Sequence, residues 1–199
     1  MPVLFRAVMF GLVVPALTAC SLGGTETAMF LIDQPAQEDT LPDRLGRIEL
    51  REVLLPQYAS GQEMVRQGED GALRGDPATV WADAPARGLT QAIATQISAV
   101  SGATALAQPW PLSTAPDRTL EIRIDRIFAG RDGVFHLSGQ YFIAPRGEGR
   151  DIVRRFDIAE PLAVLAVVGV SGDAASAAAV ADAQARAVQT LSRQIAQLR

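Results

Sequence analysis

Apolar and polar positions alternate with period two through three stretches in the second half of the chain. In 119–129, Leu120, Ile122, Ile124 and Phe128 fall on one side, and Glu121, Arg123 and Asp125 on the other. In 134–144, Phe135, Leu137, Tyr141 and Ile143 share a side; in 151–159, Ile152, Phe156 and Ile158 alternate with Val153, Arg155 and Asp157. Successive strand side chains point to opposite faces, so the pattern predicts three half-buried strands. The turn formers Asp132-Gly133 and 145–150 (PRGEGR) separate them. An antiparallel meander with one wet face is expected, since buried parallel strands would be apolar on both faces.

The first half is more broken. The run 28–33 (AMFLID) reads as a strand, Pro35 to Asp43 as a loop, and 47–55 as a second strand with Ile48, Leu50 and Leu54 on one face. Residues 62–67 and 72–74 fit a hairpin around Gly68-Glu69-Asp70-Gly71. From Pro85 to Val100 the spacing becomes helical, with Leu89, Ile93, Ile97 and Val100 on one face, Asp83 or Asp76 as a candidate cap and Gly102 as the stop. An Ala-rich helix is expected over Ala174–Leu198, its stripe formed by Val180, Ala187, Val188, Leu191, Ile195 and Leu198. Leu162–Val170 is apolar but too short to span a bilayer; a buried sheet edge and a segment covered by a partner both fit. The predicted fold is α+β: a single domain whose antiparallel sheet carries two main helices packed on one face.

Charge narrows the partners. Every basic residue among the 199 is Arg, the net charge is −4, and no basic run occurs. Nucleic acid binding needs a clustered positive field, so it is not expected. A single cysteine, Cys20, excludes an intrachain disulfide.

That cysteine closes an N-terminal address. Arg6 precedes an apolar run from Ala7 to Leu17, the length of a signal-peptide core and shorter than the span needed for about 30 Å of hydrocarbon. Leu17-Thr18-Ala19-Cys20 resembles the lipobox of bacterial lipoprotein precursors. The resemblance implies cleavage between Ala19 and Cys20, an N-acyl diacylglycerol group on Cys20 as the only attached group, and no other cofactor. Two or three acyl chains anchor stably where one does not. Residues 1–19 are then a signal peptide, 20–27 a lipidated tether and 28–199 the folded domain. The mature chain carries 17 Arg against 22 Asp plus Glu, net −5. In such lipoproteins an Asp after the cysteine favours inner-membrane retention; Ser21 in its place implies the outer membrane, with the domain on the periplasmic face.

Catalytic chemistry finds little support. His136 is the only histidine, and no spacing brings it a nucleophile and an acid. A transition-metal site of His and Cys is not expected with one of each, and no phosphate-binding glycine motif follows a strand. Arg47, Arg51, Arg123, Arg126, Arg154 and Arg155 interleave with acids on polar strand faces. This reads as cross-strand charge pairing, with a docking surface as the other reading.

The order of features is more specific than any one of them. The lipobox precedes AMFLID; then come Ile48–Pro56 with Tyr58, Met64-Val65-Arg66, Trp81 before the Leu89/Ile93/Ile97 helix, the Leu120–Asp125 strand leading into the meander, and a terminal Ala-rich helix. Together these resemble the ABC-type transport auxiliary lipoproteins, the PqiC-like outer-membrane family. The resemblance implies a non-catalytic subunit of an ABC/MCE-type lipid transport system. It would dock the periplasmic MCE component at the outer membrane and support envelope integrity, beside the ABC permease and ATPase, with a homo-oligomeric ring as one form of the assembly. The alternative is a free-standing periplasmic lipoprotein that holds a lipid or small ligand between sheet and helices. An envelope enzyme and a peptidoglycan linker rank behind both.

Overall fold

The computed structural model describes residues 27–32, 40–163 and 173–198. In chain order these form β1 (Ala28–Phe30), β2 (Arg47–Leu50), a 3-10 turn (Gln57–Ala59), β3 (Glu63–Gln67), β4 (Leu73–Trp81), α1 (Pro85–Ser101), β5 (Thr104–Ala107), β6 (Arg118–Ala129), β7 (Val134–Pro145), β8 (Ile152–Pro161) and α2 (Asp173–Ala196).

The α+β class holds, and the strands form one eight-stranded sheet. The sheet is mixed where a wholly antiparallel one was expected. The meander β6–β7–β8 is antiparallel, as is the β3–β4 hairpin. Four other pairings are parallel: β1 with β4, β2 with β5, β2 with β6, and β3 with β6. Parallel neighbours need long connections, and the chain supplies them by passing through several elements, α1 included, between β2 and β6.

Strand β6 is the hub. One side pairs with β7 along nearly its whole length. The other side is shared: β2 lies beside its first residues (Ile48 opposite Arg118, Leu50 opposite Leu120), and β3 meets its last (Arg66 opposite Ala129). The chain leaving β2 stays on β6, with Arg51 N–H donating to Leu120 O at 2.9 Å and Leu54 N–H to Ile122 O at 3.0 Å.

Two phase slips separate the observed strands from the expected ones. After Leu50 the alternation breaks: Val53 is buried and Leu54 is 52% exposed, so Leu54 does not share the face of Ile48 and Leu50. In β6 the register with β7 shifts between Ile124 and Arg126. Beyond this bulge Ile127 and Ala129 point inward, and Phe128 turns to the opposite side, where it meets His136 at 5.3 Å between ring centroids. An extra residue in one strand reverses the facing of all that follow.

Helix α1 ends at Gly102 in the left-handed conformation, as expected. Neither candidate aspartate caps its start: the N-cap is Ala84, with Pro85 opening the helix. Asp83 pairs with Arg87, and Asp76 accepts from Ala78 N and the Thr79 hydroxyl. Strand β4 runs on to Trp81, seven residues past the predicted hairpin arm, and β5 was not foreseen. In Leu162–Val170, residues 164–170 lie outside the described residues; Leu162 N–H bonds Gly133 O at 2.8 Å.

Both helices cover the inner face of the sheet and pack on each other. Ile48, Leu50, Ile93, Ile97, Leu120, Ile122, Leu137, Val188 and Leu191 meet there with almost no exposed surface. Each such side chain contributes about 1.5–3 kcal/mol by leaving water.

Candidate functional site

The proposed anchor residues Ala19, Cys20 and Ser21 lie outside the described residues. The structure takes up the chain at Thr27, whose hydroxyl donates to Pro77 O at 3.5 Å, and β1 then runs parallel to β4 at an edge of the sheet. Two side chains fasten this edge. Phe30 and Ile32 pack against the core, and Ala82 N–H bonds Phe30 O at 2.8 Å. Ile32 lies over Gly88 of α1, where an added Cβ would stand 2.8 Å from its Cδ1; a glycine there lets strand and helix approach. With Phe30 and Ile32 inward, Met29 and Leu31 face outward, each 71% exposed.

The outer face of the meander carries a charge ladder. Arg51 and Arg123 both bond Glu121, at 2.9 and 2.7 Å. Arg146 bonds Glu49 at 2.7 Å, and Arg47 meets Asp117 in a two-point pair, with distances of 3.1 and 2.5 Å. The Arg123 guanidinium lies 5.0 Å from the Phe142 ring centroid, and that of Arg126 lies 5.3 Å from Phe128. Hydrogen bonding to Arg123, with Arg51 adding to it, lowers the Glu121 pKa. Hydrogen bonding to Arg47 and its amide lowers that of Asp117 to about 2. Of the arginines named from the sequence, Arg47 and Arg51 pair with acids across strands, Arg123 pairs with Glu121 within β6, and Arg126 lies against a ring. Arg154 departs from them, standing opposite inward-facing Tyr141. Tyr141 has its pKa raised by burial, with Arg154 opposing.

His136 Nε2 lies 3.0 and 3.3 Å from the Asp132 carboxylate oxygens. Desolvation is the largest influence on Asp132 and opposes its ionisation, but the bonds from His136 and the Val134 amide together outweigh it and lower the pKa. This is an acid–imidazole pair at a turn. Among the described residues no group of three His, Cys, Asp or Glu is placed to hold a metal, and no helix is long and apolar enough to cross a membrane.

The motif residues are structural. Tyr58, in the 3-10 turn, accepts a hydrogen bond from Ile127 N–H at 3.1 Å through its hydroxyl. That amide belongs to the stretch of β6 between its contacts with β2 and β3, so the tyrosine satisfies a donor the ladder leaves over. Met64 is fully buried and Trp81 nearly so. One cavity between sheet and helices, lined by Glu63, Trp81, Leu89, Phe135, Val180 and Gln184, holds about 20 Å³. That is room for a water, which the otherwise unpartnered Gln184 Nε2 would bind, against about 300 Å³ or more for small-molecule sites.

This fold recurs in solved proteins. A protein described as uncharacterized superposes with a TM-score of 0.62 at 17% identity, covering 85% of this chain and 99% of its own. Protein XCC0632 from Xanthomonas campestris does so with a TM-score of 0.59 at 16% identity, covering 86% of this chain and all of its own. At such identities the likeness establishes the fold. No curated protein sequence matches the chain. The family described as ABC-type transport auxiliary lipoprotein component matches residues 30–196, nearly the whole folded domain, and the chain belongs to that family.

Proposed function

We propose that this auxiliary lipoprotein is the outer-membrane end of an ABC/MCE-type lipid transport system. Cleavage before Cys20 removes residues 1–19, and acylation of Cys20 holds the domain at the periplasmic face through the tether 20–27. The domain is non-catalytic. It docks the periplasmic MCE component and so supports the envelope barrier, while ATP hydrolysis belongs to other subunits. Confinement to a surface raises its effective concentration for a membrane-proximal partner without any added contact.

The observation that carries this reading is the family match from 30 to 196, joined to the Leu17-Thr18-Ala19-Cys20 sequence ahead of it. The free-standing lipid carrier gains no comparable support from the comparisons, and the cleft of about 170 Å³ between α1 and the end of β5 is lined mostly by polar side chains, Glu52, Arg87, Thr90, Gln91 and Gln108 among them. Affinity purification from solubilised membranes of the producing bacterium is the test. Recovery of an MCE-domain protein and an ABC permease is expected, with recovery reduced for a Cys20→Ala chain. A preparation in which the intact lipoprotein brings down neither would overturn the assignment.

A further inference from the structure

We propose that Met29 and Leu31 form an apolar footing that enters the bilayer interface beside the anchor and sets the orientation of the domain. The inference rests on acylation of Cys20. Three observations converge on it. First, Met29 and Leu31 are the most exposed large apolar side chains among the described residues, at 71% each. They stand two positions apart and therefore on one side of the chain, next to partly exposed Val80 on β4. Second, their outward direction is built in. Phe30 and Ile32 are held against the core and α1, and Thr27 bonds β4, so the pair cannot turn inward without undoing those contacts. Third, Ala28 follows Cys20 by eight residues, a reach of at most about 26–29 Å even when fully extended. The tether thus limits how far this edge can stand from the anchored cysteine.

The occupant is a lipid surface. Interfacial binding grows with the apolar area buried at the headgroup boundary, and a second contact turns a swivelling anchor into an oriented one. The outer face of the meander, by contrast, is charged, with Glu121 held between Arg51 and Arg123.

The test uses the full mature protein, acylated and reconstituted in phosphatidylethanolamine–phosphatidylglycerol vesicles. An acylated Cys20 leaves no free thiol, so Leu31→Cys and, in the β7–β8 turn, Glu148→Cys are each labelled alone with an environment-sensitive fluorophore. The label at 31 is expected to shift to the blue and to be quenched by lipids carrying a headgroup-proximal nitroxide; the label at 148 is expected to do neither. Adding Met29→Asp should reduce the quenching at 31. A water-like, unquenched label at 31 on protein whose intact mass shows acylated Cys20 overturns the footing and leaves the anchor standing. Shielding without nitroxide quenching assigns the pair to a second protein surface and also overturns it. An unacylated mass removes the anchor itself, and the footing with it.

Discussion

The β6–β7–β8 meander and the β1 edge follow the same strand alternation and differ in what they turn outward. In the meander, Leu120, Ile122, Leu137 and Ile143 face the helices, while Glu121, Arg123, Gln140 and Arg155 face out. In β1 and the residue after it, Phe30 and Ile32 face in, but the outward positions are Met29 and Leu31. The twelve-residue strands turn a mostly polar exterior to solvent, with Phe142 lying under Arg123. A three-residue edge strand with an apolar exterior carries surface that the fold itself does not use. The footing proposed above would divide folding and attachment between the two regions.

That division breaks first at the core. Leu137→Ala, on the inward side of β7, should destabilise by about 2–5 kcal/mol in urea titrations, as expected when a large buried side chain leaves a cavity. A value near zero would mean the meander is not the folding core. Tyr58→Phe should cost about 1–2 kcal/mol, because the Ile127 amide loses its acceptor while the ring remains.

The outward side of the meander should respond to acid rather than to truncation. Pairing with Arg47 lowers the Asp117 pKa from its ordinary 3.8 to about 2. A depressed acid contributes stability above its unfolded value and loses it as pH falls toward the folded one. Urea midpoints of the Asp117→Asn chain should therefore fall less steeply than those of the parent between these two values. The smallest effect belongs to β1: Met29→Gln combined with Leu31→Gln should leave stability within about 0.5 kcal/mol, since both side chains already stand in solvent. A loss comparable to that of Leu137→Ala would show that the β1 exterior is part of the core.

The two regions also differ in how much of them the sequence made legible. The meander was readable because its period persists through three runs, and α1 and α2 because their stripes repeat over several turns. The slip at Val53 and the bulge at Ile124–Arg126 were not, since each depends on how the neighbouring strand pairs. The parallel pairings of β2 and β3 with β6 lie between residues about 60–70 positions apart, a distance over which local pattern says nothing. Strand β5, Thr104–Ala107, is too short and too uniform to show a period. AMFLID announced a strand, but a continuous apolar run does not reveal which side is buried, so Met29 and Leu31 emerged only from the packing of Phe30 and Ile32. The family was legible from the order of weak motifs, whose residues turn out to hold the sheet together.

Membrane attachment turns on the covalent state of one sulfur. Intact-mass spectrometry of the protein extracted from membranes of the producing bacterium addresses it directly. The predicted species lacks residues 1–19, begins at Cys20 and carries a diacylglycerol thioether with an acylated amino group. A mature chain that starts elsewhere, or one that starts at Cys20 with a free thiol, would contradict it.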